Sequence, residues 1–296
     1  MAEQRTPGSL ILTLYGAYGR TPGDEPLAVA ELIRLLAALE VDAPSVRSAV
    51  SRLKRRGLLE PRRTAGGAAG YALSPGARQL LDDGDRRIYP ERPPEPAAGW
   101  VLAVFSVPES ERRQRHLLRS RLTRLGFGTA APGVWIAPAA VFEETRHTLE
   151  RLGLARYVDL FRGEHLGFTA TAGAVARWWD LPAIAARYEE FLAAQEPVLR
   201  SWGGPPGGPS GSGAPGEPAG GGAAARDARA DGADGTAEAA YRDYLPALDA
   251  WRRLPYADPG LPAALLPADW PGGRAAAVFA ALHRRLRDAG AAFVRG

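Results

Sequence analysis

Cysteine is absent from the 296 residues. That excludes disulfides, thiolate nucleophiles and cysteine zinc sites, although it does not fix a compartment. Lysine occurs once, at Lys54, so nearly all positive charge is arginine. With Ala, Gly and Pro abundant, this bias matches a GC-rich genome. A net charge of +4 is therefore weaker support for nucleic-acid binding than local clustering of cations. No stretch approaches the roughly 20 apolar residues of a membrane span. The start, MAEQRTPGSLILTLYGAYG, has only a short apolar run, with neither the basic region nor the small-residue cleavage site of a signal peptide. The expectation is a soluble cytoplasmic protein, long enough at 46% hydrophobic residues for two or three domains.

The most informative stretch runs from Ala43 to Arg63, APSVRSAVSRLKRRGLLEPRR, with seven cations against the single acid Glu60. As a helix from Pro44, it puts Val46, Ala49, Val50 and Leu53 on one stripe. Ser48, Ser51, Arg52 and Arg55 lie opposite, and Arg47, Lys54 and Arg56 lie on the flanks. Asp42 suits the N-cap, and Gly57 suits the stop. Arginine reads guanine edges and serine bonds bases or phosphates, so this is the chemistry of a major-groove helix. An arginine-rich amphipathic helix also serves as the solvated face of ordinary domains, so its neighbours decide.

Those neighbours are helices at Ser9 to Tyr18 and Leu27 to Leu39, which make the cationic helix third in a helix-turn-helix plan. Strands at Leu58 to Arg63 and Tyr71 to Ser74 follow, around the glycine-rich tip 64–70, and read as a wing. Arg62 and Arg63 then face minor groove or backbone, or else protect an edge strand. A short helix at Pro75 to Asp82, an exit segment 86–89 and a proline-rich linker 90–99 close this domain, 1–89.

The second domain, 100–175, opens with a strand at Trp100 to Val107. A helix from Glu109 to Leu125 follows, with its arginines outward as a second basic surface or a solvated face. Gly126 to Gly133 reads as a turn, Val134 to Ala137 as a strand, Val141 to Leu152 as a helix and Tyr157 to Phe161 as a strand. Leu166 to Thr169 is the candidate fourth strand. This pattern suggests a ferredoxin-like α+β sandwich, with strand order left open. From 176 to 296 the chain reads as helical, at Leu181 to Trp202, Ala237 to Leu254 and Arg274 to Ala289. It is interrupted at 203–235 by Gly, Pro, Ala and Ser too poor in large apolar groups to offset ordering entropy, and is expected to be disordered there.

No catalytic constellation emerges. Glu144 and His147 have the spacing of half a carboxylate metal site, but no second Glu-x-x-His occurs. No Gly-x-Ser-x-Gly elbow is present, and Gly126-Phe127-Gly128 lacks the third glycine of a dinucleotide loop.

The segments VRSAVSRLKRRGLLE, YALSPGARQLLDDGDRRIYP, WVLAVFSVPESERRQRHLLRSRLTRLGFGTAAPGVWIAP, LPAIAARYEEFLA and RRLPYADPGLPAALLPADWPG together resemble the PaaX-like phenylacetic acid degradation repressors. The resemblance covers nearly the whole chain outside the insert. It implies a winged helix-turn-helix, a central ferredoxin-like domain similar to the CRISPR-associated nuclease fold, and a helical C-terminal domain. It further implies a homodimer on a palindromic double-stranded DNA operator, released by an aryl-CoA thioester such as phenylacetyl-CoA. The nuclease fold places an aspartate at the end of its first strand. Here that strand ends Val104-Phe105-Ser106-Val107, so no nuclease and no enzyme is expected.

On these expectations the DNA contacts are Ser45, Arg47, Ser48, Ser51, Arg52 and Arg55, with Arg62 and Arg63 on the wing. No cofactor or metal is expected beyond a phenylacetyl-CoA or other acyl-CoA effector. Such a ligand needs cations for phosphates and an apolar slot, which Trp135, Arg156, Trp251, Arg252, Arg253 and Tyr256 would supply by converging. A domain interface is enriched in the same residue types. The alternative is a CoA-thioester-binding protein or enzyme whose winged helix makes protein contacts.

Overall fold

The computed structural model describes residues 6–20, 26–89, 99–203 and 224–296. The chain is α+β, with one three-stranded and one four-stranded antiparallel sheet. Helix α1 (Pro7–Tyr18) is capped by Thr6, whose hydroxyl accepts from the Ser9 amide. A two-residue strand β1 (Leu27–Ala28) precedes α2 (Val29–Ala37). The expected helix from Leu27 thus starts two residues late, because Leu27 and Ala28 pair with a later strand instead. Helix α3 (Ala43–Arg55) follows, and Gly57, at φ 67°, ends that segment in the left-handed conformation glycine tolerates. Strands β2 (Leu59–Arg63) and β3 (Ala69–Leu73) form the hairpin, giving the sheet order β1-β3-β2. Pro61 lacks an N–H and sits on β2, at an edge of this sheet, where its loss costs least. Helix α4 (Pro75–Ile88) runs well beyond Asp82 and takes in most of the expected exit segment. The linker 90–98 lies outside the described residues.

Next come β4 (Trp100–Phe105), α5 (Arg112–Arg124), β5 (Gly128–Ala131), β6 (Val134–Pro138), α6 (Phe142–Arg151) and β7 (Val158–Gly163). The sheet order is β5-β6-β4-β7. Its fourth strand is therefore β5, inside the expected turn. Leu166 to Thr169 is not a strand, and Leu166 and Phe168 are largely exposed. The pleat sends Val101, Ala103, Trp135 and Ala137 to one face, where they bury Leu118 and Leu122 of α5 and Leu149 of α6. Trp100 and Ile136 point to the other face. There they meet Val175 of α7 (Thr171–Trp178), an element the sequence reading did not include, together with Trp179, Leu181 and Leu261.

Helices α8 (Leu181–Gly203), α9 (Ala224–Trp251), α10 (Leu254–Ala257) and α11 (Gly272–Arg295) complete the chain. Residues 204–223 of the expected disordered insert lie outside the described residues. The backbone from Ala224 to Gly235 is helical, which corrects that part of the expectation. Alanine is the best helix former, and extending an existing helix adds a hydrogen bond for each residue fixed.

The chain divides into two compact units that are not consecutive blocks. One comprises residues 1–84, 191–251 and 274–296, and the other 85–190 and 252–273. In the first, the core of α1, α2 and α3 also takes in Tyr241 and Leu245 of α9. Trp251 stacks on Phe279 of α11 at 4.9 Å and meets Phe191 of α8 at 5.4 Å. In the second, the Trp179 indole donates to the Gly126 carbonyl at 3.0 Å, and the Tyr188 hydroxyl donates to Asp258 at 2.7 Å.

Candidate nucleic-acid interface

Helix α3 begins where Asp42 accepts the Ser45 amide at 2.8 Å and the Ser45 hydroxyl at 2.8 Å. These hydrogen bonds, the amide one first, hold the Asp42 carboxyl below the usual carboxylate range. Such a cap satisfies an N-terminal amide that has no partner within the helix. Val46, Ala49, Val50 and Leu53 are buried against α1 and α2, which fixes the rotation of the helix about its axis. That rotation leaves Arg47, Ser48, Ser51, Arg52 and Arg55 exposed.

The exposed residues are not equivalent. Arg52 donates to the Ser48 hydroxyl at 2.6 Å, so that guanidinium is held along the helix face. Ser45 is half-buried and its hydroxyl is committed to the cap, while Ser51 and Arg55 stand in solvent. Lys54 and Arg56, absent from the predicted contact set, are equally exposed on its flanks. Their charge could have been counted from the sequence.

The hairpin is joined to α3 by the Ser74 hydroxyl, which donates to the Gly57 carbonyl at 2.7 Å, and by Leu58 N–H to Leu53 carbonyl at 3.0 Å. Its tip closes through Gly67 N–H to Thr64 carbonyl at 2.8 Å and Ala68 N–H to Thr64 hydroxyl at 3.1 Å. Arg62 is paired with Glu60 at 2.7 Å, and Arg63 donates to the Gly67 carbonyl at 2.7 Å. Both guanidiniums are therefore presented on the exposed end of the hairpin, each already held by a neighbour.

The six candidate effector residues have different surroundings. Trp135 borders a cleft of about 600 Å³ with Phe105, Arg115 and Arg119 on its rim. Arg156 donates to the Tyr157 hydroxyl at 2.7 Å and lies 3.6 Å from Glu111. Tyr256 lies beneath the Arg124 guanidinium at 5.5 Å. Trp251 is in the interior of its unit, whereas Arg252 and Arg253 are half-buried and belong to the other. Arg115 and Arg119, one helical turn apart, are indistinguishable in the sequence from the other arginines that crowd α5, because the sequence does not say which of the six face a cleft. Among the described residues, no group of three or more His, Asp or Glu is placed to hold a metal. No helix among them is long and apolar enough to cross a membrane.

Fold and surface together define an α+β protein that presents an arginine- and serine-faced helix beside a cationic hairpin. Three family models match it: PaaX-like protein over residues 6–77, PaaX protein central Cas2-like domain over 94–175, and PaaX-like protein C-terminal domain over 223–296. The chain belongs to the PaaX-like family. It is 27% identical over 292 residues to the transcriptional repressor PaaX of Escherichia coli (strain K12), covering 97% of this chain and 82% of that protein. The solved structure of the uncharacterized protein Rv0674 from Mycobacterium tuberculosis superposes with a TM-score of 0.55 at 23% identity. It spans 96% of this chain and 98% of its own, a likeness of fold.

Proposed function

We propose that the chain is a DNA-binding transcriptional repressor and not an enzyme. In this reading α1, α2, α3 and the β2–β3 hairpin form a winged helix-turn-helix. The carrying observation is the division of α3, with Val46, Ala49, Val50 and Leu53 buried and Arg47, Ser48, Ser51, Arg52 and Arg55 exposed. A helix so fixed can enter a major groove with its hydroxyls and guanidiniums facing base edges, while Arg62 and Arg63 meet the flanking backbone. The name of the Escherichia coli relative supports the repressor assignment. The βαββαβ order of β4 to β7 supports reading the central sheet as ferredoxin-like.

The proposed assembly is a homodimer on a two-fold operator controlling aromatic-acid catabolism genes. An aryl-CoA thioester would act as effector by binding the DNA-free form more tightly, as linkage requires. The cleft beside Trp135, with aromatic rings and arginines, suits the aryl end and an anionic group of such a ligand. Arg156, Arg252, Arg253 and Tyr256 remain candidates for the rest, whereas Trp251 is buried against Phe191 and Phe279 in its own unit.

The test is DNA binding by the full chain to the promoter region beside its own gene, at two salt concentrations, with and without phenylacetyl-CoA. Specific, salt-sensitive binding abolished by the thioester is the expected result. Specific binding indifferent to the thioester removes the effector and keeps the repressor. Absent or salt-insensitive DNA binding overturns the reading in favour of a CoA-thioester-binding protein.

A further inference from the structure

Lys54 is the single lysine among 37 Lys and Arg side chains, so the chain offers one side-chain amine. It stands in the last turn of α3, where Arg47, Ser51 and Lys54 follow at i, i+4 and i+7 on one stripe of the helix. All three are exposed, as are the neighbouring Arg55 and Arg56. The acid nearest along the chain, Glu60, is held by Arg62 at 2.7 Å, and Asp42 caps the opposite end of the helix. Among the described residues, the side chains of Lys54, Arg55 and Arg56 make no hydrogen bond or ion pair. A guanidinium stays protonated and is no nucleophile, whereas a lysine ammonium can lose its proton and then attack a carbonyl. With no cysteine in the chain, no thiol competes for an acyl group.

We propose that Lys54 is an acylation site whose acyl donor is an acyl-CoA thioester. The donor's phosphates are drawn to the exposed Arg55 and Arg56, which raises the thioester concentration around the adjacent amine. The neutral Nζ of Lys54 attacks the thioester carbonyl. A C–N bond forms, the C–S bond breaks, the surplus proton of the amine passes to water and CoA leaves as its thiolate, with no oxidant or reductant consumed. The amide product is uncharged, so one cation is lost from the stripe that also carries Arg47 and Ser51. The covalent mark persists after free thioester is removed, which separates it from reversible effector binding. The acylation itself does not depend on α3 reading DNA, whereas its consequence, weaker DNA binding, rests on that reading.

The test incubates the full chain with acetyl-CoA at mildly alkaline pH and locates the adduct by peptide mass mapping. One acetyl group on Lys54 is expected, added roughly tenfold or more faster than to a free lysine derivative blocked at its α-amine, the gain that electrostatic focusing supplies. The rate falls towards that of the free derivative in the double variant Arg55→Gln, Arg56→Gln, and Lys54→Arg takes no label in α3. An adduct confined to the N-terminal amine, or a Lys54 rate no greater than that of the free derivative, overturns the proposal. After removal of acetyl-CoA, the acetylated protein is titrated with an unrelated duplex at two salt concentrations, and its salt slope is expected to be lower by about one than that of the unmodified chain. A labelled Lys54 with an unchanged slope overturns the effect on DNA binding. Failure of the unmodified chain to bind DNA at all tells against the repressor reading instead and leaves the labelling result standing.

Discussion

Thr13 of α1 donates its hydroxyl hydrogen to Asp249 of α9 at 2.8 Å, and both residues are only 2% exposed. Ser9, one turn earlier, donates to the same carboxylate. The first helix of the candidate DNA-binding head is thus hydrogen-bonded to a helix 236 residues further along the chain, within one compact unit. Thr13→Val keeps the shape and leaves a buried carboxylate with one donor fewer. A loss of about 1.5–3 kcal/mol is expected, because hydrogen bonds to charged groups are the stronger class. Urea unfolding at pH 7 measures it. A fragment ending at residue 89 should be less stable still, since it also exposes the surface that Tyr241 and Leu245 cover.

Gly70 is required by the close approach of β1. A Cβ added there would lie 2.7 Å from the Leu27 carbonyl oxygen and 3.3 Å from Thr64 Cγ2. Gly70→Ala therefore has to displace β1 from β3, costing about 1–3 kcal/mol as other overpacked sites do. The hairpin moves with it, so operator affinity falls in a gel-shift titration. Gly66→Ala meets no atom nearer than 4.0 Å and should leave both stability and binding close to wild type.

How much the sequence discloses depends on whether a signal is local. Helix α3 is legible because Asp42, Pro44 and Gly57 mark its ends and its apolar stripe has helical period. Strand β5, Gly-Thr-Ala-Ala, carries no β-branched or aromatic residue besides Thr129, and it becomes a strand through pairing with β6. Strand β1 is hidden because Leu27 and Ala28 run straight into an apolar helix. The Asp249 contacts arise from burial and long-range packing, which composition does not reveal. Tyr15 illustrates the same limit. Its hydroxyl donates to the Tyr71 carbonyl at 2.6 Å, and burial raises its pKa, yet its sequence context is only that of one more apolar helix residue.

His283 makes the first compact unit sensitive to acid. Its ring Nδ1 lies 2.7 Å from the Tyr244 hydroxyl. Burial, followed by the charge of Arg287, lowers its pKa from the ordinary 6.5; Arg284 adds to this and Asp288 opposes it. Below about pH 6.5 the unfolded chain takes up a proton that the folded one resists, so this group's contribution to stability falls as pH falls through that value. Above pH 7 the ring is neutral in both states and contributes no slope. Urea midpoints at pH 5.5 and 7.5 should therefore differ less in His283→Gln than in wild type. An equal difference would assign the acid sensitivity to other groups.

Arg52 and Arg55 separate base reading from charge attraction. Arg52 is held by Ser48, whereas Arg55 stands in solvent on the face opposite Val46 and Leu53. A guanidinium already oriented along the helix loses less freedom on forming a bidentate contact, so Arg52 is the better placed to read guanine. Arg52→Ala should cost about 1–3 kcal/mol on the operator and flatten discrimination at one base pair while leaving binding to unrelated duplex nearly unchanged. Ser48→Ala should reproduce a fraction of that loss, because the orienting acceptor is gone while the charge remains. Arg55→Ala, acting through phosphate, should weaken operator and unrelated DNA alike and reduce the salt slope by about one. Titrating all three variants against operator and scrambled duplex at two salt concentrations distinguishes the roles. If Arg52→Ala and Arg55→Ala both retain wild-type operator affinity, α3 is not the reading helix.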